Sequence, residues 1–438
     1  MNGTTKGKLA IVVGGGPAPG INGVISSATI EGVKQGYEVL GLRDGFKWLA
    51  QGDATHITPL GINDVTPIHH RGGSILGTAR TNPAKSETSM ANLLDAFRRL
   101  GVSALVSIGG DDTAYSASQI YKKAAGAIRV AHVPKTIDND LPLPGSTPTF
   151  GFETARHLGT YVVRNLAEDA KTTSRWYLII SMGRAAGHLA LGIGKSAAAT
   201  LTIIPEEFRQ RAVTLDEVCD IVIGSVIKRE AEGSHYGIAV LAEGLIESIG
   251  EKGLIAAVGE EQLQRYGKIS RDDHGHLRLG EIEFGRLMKD LLTARLDKLG
   301  LKITLIDKDL GYELRCANPI PFDAEYTRNL GYGAVKFLLS EESKQFGAII
   351  SFVDGKMVPL RFEDMLNPQT GRMQVRKVNV EGESFEVARS YMIRLTRADF
   401  ENGAQLAALS SVAKLTPEDF RRRFEYLAGP AEDLGGAK

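Results

Sequence analysis

The chain has little cysteine and no excess of charge of either sign. Only two of its 438 residues are cysteines, Cys219 and Cys316, and their separation matches no metal-ligand spacing. A disulfide framework or a zinc site is therefore not expected, and we expect both thiols to be buried as small apolar side chains. Because Lys plus Arg and Asp plus Glu are equal at 52 each, the composition does not support a nucleic-acid or membrane-surface partner, which would need a basic excess.

Long apolar runs are also missing. No stretch approaches the roughly 20 apolar residues that a transmembrane helix needs, and the polar start at residues 1–8 does not resemble a signal peptide. We therefore expect a protein of the reducing cytoplasm with no membrane partner. A length of 438 residues is too great for one compact core, so two or more domains are expected.

What the chain does contain is a repeated unit: a short apolar run, a glycine-rich or acidic loop, and then a helical pattern. The runs do not alternate between polar and apolar residues, which predicts strands buried on both faces in parallel sheets covered by helices. The fold class is therefore α/β, and ligands of such sheets bind beyond the carboxyl ends of the strands. The clearest runs are 8–13, 104–108, 128–133, 176–181, 200–204 and 236–242.

The most informative loop is the run Pro-Lys-Thr-Ile-Asp-Asn-Asp at 134–140, which follows one of these strands. A carboxylate near a substrate hydroxyl acts as a general base, and Asp138 and Asp140 are carboxylates of this kind. The ammonium group of Lys135 can stabilise charge on a transferring phosphoryl group. The alternative is a solvated acidic turn, which the preceding buried strand makes less favoured.

A second loop, Gly-Gly-Asp-Asp-Thr at 109–113, follows the strand at 104–108. Its glycines allow a phosphate oxygen or a metal ion to approach the backbone, and Asp111 is a suitable ligand for Mg²⁺. Asp112 would repel a nucleotide triphosphate, so the loop disfavours ATP as the donor. The alternative is a helix N-terminus with ordinary acidic residues in its first turn.

Two further glycine-rich runs, at 14–22 and 190–196, are candidates for phosphate-binding loops. The run Gly-Gly-Gly-Pro-Ala-Pro-Gly-Ile-Asn at 14–22 follows a strand and opens a helix, a place that suits an anion, although a tight turn without a ligand is an equal alternative. The run 190–196 resembles a Walker loop, but position 189 is leucine and the pattern predicts a helix. Arginines beside strands or glycine loops add candidates for phosphate binding; they are Arg71, Arg80, Arg175, Arg184, Arg315 and Arg328.

These motifs, with Met-Gly-Arg at 182–184, Ala-Glu-Gly at 242–244 and Leu-Gly-Tyr-Glu-Leu-Arg at 310–315, occur in the order found in phosphofructokinases. The resemblance covers roughly residues 8 to 360. It implies two Rossmann-like parallel-sheet lobes around a cleft and transfer of a phosphoryl group to the 1-hydroxyl of fructose 6-phosphate with Mg²⁺. It assigns 1–148 and 316–360 to a donor-binding lobe and 149–247 and 300–315 to a fructose 6-phosphate lobe. The charged stretch 248–299 has helical periodicity and is expected to be a helical insertion, and 361–438 is expected to be a C-terminal extension. The chain from Arg372 onward is expected to be rich in loops, with 429–438 disordered.

Carried over residue by residue, the resemblance implies that Asp138, Lys135, Asp112 and Arg184 are catalytic. It implies a donor site at Gly16, Arg80, Gly110 and Thr113, and a magnesium ligand at Asp111. The fructose 6-phosphate site would comprise Thr136, Asp138, Asp140, Arg175, Met182, Gly183, Arg184, Glu243, Tyr312 and Arg315.

The family shares its sites between subunits, which implies a homodimer or homotetramer. Arg175 resembles an arginine that a neighbouring subunit donates. A second donated arginine has no match, because Ile306 occupies the position six residues before Tyr312. Lys302 and Lys308 remain open as its replacement.

Asp112 and Lys135 stand where ATP-dependent members have glycine, so the chain resembles the pyrophosphate-dependent branch. Asp112 fills space and charge that a nucleotide's α-phosphate would need, and Lys135 supplies a compact positive charge to the smaller donor. The reaction is then expected to be reversible. Two alternatives stay open: an ATP-dependent enzyme with a shifted loop, and a catalytically silent sugar-phosphate sensor, which the presence of Asp111, Asp138 and Asp140 disfavours.

Overall fold

A computed structural model describes residues 6–208, 211–267, 279–365 and 373–428. The strands in these ranges are β1 (Lys8–Val13), β2 (Glu38–Leu42), β3 (Ile57–Leu60), β4 (Val102–Gly109), β5 (Arg129–Pro134), β6 (Trp176–Ser181), β7 (Leu201–Ile203), β8 (Gly237–Ala242), β9 (Leu305–Leu310), β10 (Ala348–Val353) and β11 (Lys356–Arg361). The α-helices there are α1 (Ile21–Lys34), α2 (Lys47–Ala50), α3 (Ile62–Val65), α4 (Glu87–Leu100), α5 (Asp111–Ala124), α6 (Phe152–Thr173), α7 (His188–Ser196), α8 (Leu215–Ala231), α9 (Leu245–Val258), α10 (Glu260–Leu263), α11 (Phe284–Lys298), α12 (Pro321–Leu339), α13 (Glu383–Ser390), α14 (Arg397–Glu401), α15 (Gly403–Val412) and α16 (Pro417–Phe424).

The chain divides into two compact units. The first unit contains Met1–Leu158 and Tyr312–Arg376, and the second unit contains Gly159–Gly311 and Lys377–Lys438. The mixed α/β architecture predicted from the apolar runs is confirmed, since each unit has its own largely parallel sheet.

The sheet of the first unit has seven strands in the order β11-β10-β5-β4-β1-β2-β3. Its central pairs are parallel, whereas the edge strands β3 and β11 are antiparallel to their neighbours. Along β1, Leu9 and Ile11 belong to one apolar cluster and Ala10 and Val12 to another. Because successive side chains of a strand point to opposite faces, the sheet is buried on both sides, as the unbroken apolar runs predict.

The sheet of the second unit has four strands in the order β7-β8-β6-β9, and every pair in it is parallel. All residues of β6 and β8 are buried. The apolar core around this sheet includes large side chains from α8 and α11, among them Val222, Ile223 and Leu292.

The helical predictions are confirmed where the structure describes them. The run 190–196 lies inside α7, so it does not form a Walker loop. The predicted helical insertion at 248–299 contains most of α9 and all of α10 and α11, while 268–278 lie outside the described residues.

One expectation was wrong. The C-terminal segment contains the helices α13 to α16 rather than mainly loops, because α14 to α16 bury apolar side chains such as Phe400, Phe420 and Phe424 in the core of the second unit. Some of its charged side chains are buried as well: Arg394 is ion-paired with Glu207, and Asp399 with Lys228. The predicted disordered tail at 429–438 lies outside the described residues.

The cysteine expectation was half wrong, since Cys219 is buried but Cys316 is exposed. The chain around Cys316 approaches Gly72 through its backbone: a Cβ on Gly72 would lie 2.0 Å from the Cys316 carbonyl oxygen. The close packing here is made by the main chain and leaves the thiol outside.

In the described part of the chain no helix combines the length and apolar character needed to cross a bilayer.

Candidate functional site

In the first unit, the carboxyl ends of β1, β4 and β5 lie side by side. Val13 pairs with Ile108, and Gly109 pairs with Pro134. The backbone N–H of Gly14 donates to the Ile108 carbonyl at 2.9 Å. The three loops that the sequence singled out, at 14–16, 110–112 and 135–140, therefore begin next to one another at a single sheet edge.

Thr113 explains why the first two loops carry glycine. A Cβ placed on Gly14 or on Gly109 would lie 2.4 Å from the hydroxyl oxygen of Thr113. The threonine is buried between these glycines. Its position fits a residue that holds the two loops together rather than one whose side chain faces solvent.

The acidic pair lies at the start of α5, with Gly110 as the N-cap residue. Asp111 and Asp112 are both exposed in the first turn of this helix. Free N–H groups and the helix dipole at this end attract anions, whereas the Asp112 carboxylate repels them. A phosphate group bound at this helix end would therefore have a negative side chain beside it.

Lys135 is buried directly after β5 and reaches back to the first loop. Its Nζ donates a hydrogen bond to the carbonyl oxygen of Gly16, and its N–H donates to the Gly109 carbonyl at 2.8 Å. Burial lowers the pKa of Lys135 to about 8, and repulsion from the Arg315 guanidinium acts in the same direction. Three nearby carboxylates oppose this shift in pKa; they belong to Asp138, Asp111 and Asp140.

Arg315 completes the charged surroundings of the glycine loop. Its guanidinium carbon lies 3.5 Å from the place that a Cβ on Gly16 would occupy, and it lies 4.9 Å from the centre of the Tyr312 ring. Tyr312 is 77% exposed. Arg80 is exposed and follows Ala79, whose carbonyl accepts a hydrogen bond from the Gly15 N–H at 3.0 Å.

The acidic loop after Lys135 is held by local hydrogen bonds. The Asp138 N–H donates to the Thr136 hydroxyl at 3.0 Å, and Asn139 adopts a left-handed conformation with φ of 55°. Burial raises the pKa of Asp140, and repulsion from the Asp111 carboxylate adds to this, while the hydrogen bond from Thr136 opposes it. The Asp111 carboxylate therefore contributes to the electrostatic surroundings of Asp140, after burial.

The described residues contain no group of three or more His, Cys, Asp or Glu side chains arranged to hold a metal ion. Mg²⁺ commonly uses one or two carboxylates and completes its shell with water and substrate phosphate oxygens. Asp111 and Asp140 match that requirement in number and in chemistry. The residues present therefore fit Mg²⁺ bound together with a phosphorylated ligand.

The sequence reasoning missed His132, which lies in β5 beneath the acidic loops. Its Nδ1 lies 2.7 Å from the Ser107 hydroxyl and its Nε2 lies 3.1 Å from the Gly109 carbonyl oxygen. Burial lowers the pKa of His132 to about 3, so the ring is neutral, with Nε2–H as donor to Gly109 and Nδ1 as acceptor from Ser107. A single histidine inside an apolar strand run gave no signal of this contact.

In the second unit, the segment after β6 meets the segment after β8. The Gly183 N–H donates to Glu243 Oε2 at 3.1 Å, and Gly183 has φ of 132°, which favours glycine. A Cβ on Gly244 would lie 2.5 Å from the Arg184 carbonyl oxygen. A Cβ on Gly311 would lie 2.6 Å from Cε of Met182. Four of the predicted sugar-binding residues, Met182, Gly183, Arg184 and Glu243, therefore share one end of this sheet.

Arg175 does not lie at that end. It precedes β6, whereas Met182 follows it, and a strand of this length spans roughly 20 Å. The Nε atom of Arg175 lies 4.0 Å from the Oδ2 atom of Asp169. Within one chain the structure therefore separates Arg175 from Arg184.

The two lysines left open by the sequence lie on or before β9. Lys308 is opposite Ile179 of β6 and Ile306 is opposite Tyr177, so both lie within the sheet. Lys302 precedes β9, which places it at the same end of the sheet as Arg175. Both lysines are exposed.

The amino-acid sequence and the fold of this chain are similar to those of known proteins. A family model described as phosphofructokinase matches residues 8–338. The pyrophosphate–fructose 6-phosphate 1-phosphotransferase of Thermotoga maritima is 50% identical over 95% of this chain and 98% of its own length. The protein of the same name from Naegleria fowleri is 48% identical over 96% of this chain and 95% of its own length. A solved pyrophosphate-dependent phosphofructokinase from Marinobacter aquaeolei shares the fold, with a TM-score of 0.63 at 16% identity, covering 93% of this chain and 91% of its own.

Proposed function

Because the chain belongs to the phosphofructokinase family, we propose that it transfers a phosphoryl group from pyrophosphate to the 1-hydroxyl of fructose 6-phosphate, reversibly. The products are fructose 1,6-bisphosphate and phosphate. The observation that carries the choice of donor is the placement of Lys135, buried at the Gly16 carbonyl, together with Asp112 in the first turn of α5. Two relatives at 50% and 48% identity are named for this activity.

The donor follows from charge and space. Asp112 places a negative charge beside the N-terminus of α5, where a nucleotide would need to seat a further phosphate. Pyrophosphate lacks the nucleoside that would contribute binding energy elsewhere, so a compact cation close to the glycine loop compensates. Lys135 is that cation, and like-charge repulsion at Asp112 disfavours the longer donor.

Asp111 and Asp140 are the residues that would hold Mg²⁺. When bound, the ion would neutralise charge on the pyrophosphate oxygens. Both carboxylates follow neighbouring strands of one sheet edge, β4 and β5, which supports this assignment.

The protein's own groups supply the remaining chemistry. Asp138 accepts the proton of the 1-hydroxyl as general base, and Lys135 stabilises negative charge that develops on the phosphoryl group and the departing phosphate. Gly16, Gly110 and Arg80 border the donor, with Thr113 holding the loops that bind it. Arg315 and Tyr312 contact the sugar phosphate.

The resemblance to the family assigns further sugar-binding residues, and these lie together at one end of the sheet of the second unit. Met182, Gly183 and Glu243 bind the hydroxyl groups of fructose 6-phosphate, and Arg184 contributes positive charge to the transition state. Arg175 belongs to the site of a neighbouring subunit, which fits its place at the far end of β6. We therefore propose a homodimer or homotetramer, in a reducing cytoplasm that suits its free cysteines Cys219 and Cys316.

The test is a donor comparison on the purified protein with fructose 6-phosphate and Mg²⁺. Turnover is expected with pyrophosphate and not with ATP, and the reverse reaction is expected with fructose 1,6-bisphosphate and phosphate. Turnover with ATP alone would overturn the assignment of the donor. Binding of fructose 6-phosphate without turnover for either donor would favour a sensor instead.

A further inference from the structure

Arg376 lies in the C-terminal part of the first unit and contacts the acidic loop of the candidate site. Its Nε donates to the Asn139 carbonyl at 3.2 Å, and its terminal nitrogens donate to the side-chain oxygen of Asn139 and, at 2.8 Å, to the Thr147 carbonyl. Its backbone N–H donates to the Asp140 carbonyl at 2.7 Å. One residue, distant in sequence, therefore binds the loop at four acceptors.

The acceptors are placed where they control the loop's shape. Asn139 stands between Asp138 and Asp140 and has φ of 55°, a conformation that most residues avoid. Its side-chain oxygen also accepts from the Thr149 N–H at 3.0 Å. The guanidinium fork of Arg376 holds both the carbonyl and the side chain of Asn139, so it fixes the turn that separates the two carboxylates.

The segment that carries Arg376 is itself anchored. Met373 is buried in the same apolar cluster as Leu141 and Leu143, which continue the acidic loop. The Gln374 N–H donates to the Met365 carbonyl at 3.0 Å. Arg376 is half-buried, and the carboxylate of Asp140 lies near enough to stabilise its charge.

We propose that Arg376 is a positioning residue for catalysis: it holds Asp138 and Asp140 in the arrangement needed for proton removal, through its hydrogen bonds to Asn139 and Thr147. This inference rests on the proposed function. Arg376 lies beyond the residues matched by the family model, which end at 338, so the C-terminal segment contributes to the chemistry rather than only to the core.

A planar guanidinium is required by this geometry. Its nitrogens reach three oxygens on two stretches of the loop, and a lysine ammonium, a point charge, cannot match that fork. Displacement of a catalytic group by about 1 Å can cost about 10²-fold in rate. Loss of Arg376 should therefore reduce turnover while binding of fructose 6-phosphate is retained.

The experiment compares wild type, Arg376→Ala and Arg376→Lys, with Arg361→Ala as the matched control. Arg361 is an exposed arginine of the same unit that lies 4.5 Å from the Phe346 ring, so its loss removes a guanidinium without touching the acidic loop. For Arg376→Ala we expect kcat with pyrophosphate to fall about 10²-fold with KM for fructose 6-phosphate little changed. The kcat of Arg376→Lys should lie between those of Arg376→Ala and wild type. Guanidinium ion added to the assay should raise the kcat of Arg376→Ala but not that of wild type, Arg376→Lys or Arg361→Ala.

A double-mutant cycle separates this role from general destabilisation. If Arg376 acts through Asn139, the double variant Arg376→Ala/Asn139→Ala should be no slower than the worse single variant, because both changes release the same turn. Strictly additive losses, or normal kcat in Arg376→Ala, would overturn the inference. If Arg376→Ala does not fold, the kcat of Arg376→Lys decides, and a wild-type value there would also overturn it. A wild type without pyrophosphate activity would instead refute the proposed function.

Discussion

The ammonium group of Lys135 donates a hydrogen bond to the carbonyl oxygen of Gly16, across 119 residues of sequence. This contact joins the loop after β5 to the glycine loop after β1. It places a buried cation at the first loop, and the Arg315 guanidinium carbon lies 3.5 Å from the place that a Cβ on Gly16 would occupy. The preference for pyrophosphate over a nucleotide that we propose depends on that cation and on Asp112.

The pH dependence of activity should follow Lys135. Its pKa is lowered from 10.5 to about 8, chiefly by burial, so the ammonium is charged below this value and loses its proton as pH rises through it. The kcat/KM for pyrophosphate, which reports the free enzyme, should therefore decline above about pH 8. In Lys135→Arg the charge persists at every accessible pH, so this decline should vanish even if activity is lower. An alkaline decline unchanged in Lys135→Arg would contradict the prediction.

Asp112 should set the choice of donor. Asp112→Gly removes both the side chain and its charge, and Asp112→Asn removes only the charge. If repulsion is the main barrier, both variants should gain at least ~10-fold in kcat/KM for ATP, since like-charge contacts cost several kcal/mol. If the occupied space is the main barrier instead, only the glycine variant should gain. Steady-state rates with each donor measure this, and no gain in either variant would refute the role assigned to Asp112.

His132 should affect stability in a pH-dependent way. Its pKa is lowered from 6.5 to about 3 by burial. Between these values the unfolded chain binds a proton that the folded chain does not, so the free energy of unfolding falls as pH decreases from 6.5 towards 3. His132→Gln should reduce this pH slope.

The control for His132 is Ser107→Ala, which removes the hydroxyl bonded to Nδ1 but keeps the imidazole. It should lower stability at pH 7 by about 1 kcal/mol while leaving most of the acid slope in place. Denaturant unfolding at several pH values gives both quantities. Equal slopes in wild type and His132→Gln would show that the histidine is not held neutral.

Sharing of sites between subunits can be tested with two inactive variants. Asp138→Ala removes the proposed general base and should lower kcat by at least ~10²-fold, and Arg175→Ala should be impaired because the partner's site loses a cation. When the two proteins are unfolded and refolded together, mixed oligomers contain sites with both Asp138 and Arg175 intact. Activity should then reappear. No recovery in oligomers shown to be mixed would place both residues in the same subunit's site.

The site could be predicted in part because polar residues interrupt apolar runs at defined points. The runs ending near Val13, Ile108 and Val133 predicted parallel strands, and parallel strands bring their following loops to one edge. The loops at 14–16, 110–112 and 135–140 do begin together there. His132 was not anticipated, because a histidine within a strand shows its function only through what it contacts.

The sequence by itself determined the strands β1 and β4 to β8, the glycine and acidic loops, and the family, because these depend on local patterns of apolar, small and charged residues. Only the tertiary structure decided that Arg376 binds Asn139, that Cys316 is exposed and that the charged C-terminal segment packs as helices. These outcomes depend on contacts between residues far apart in the chain, such as the 237 positions between Asn139 and Arg376. No local pattern specifies such a contact, since it forms only when packing of the apolar core brings the two segments together.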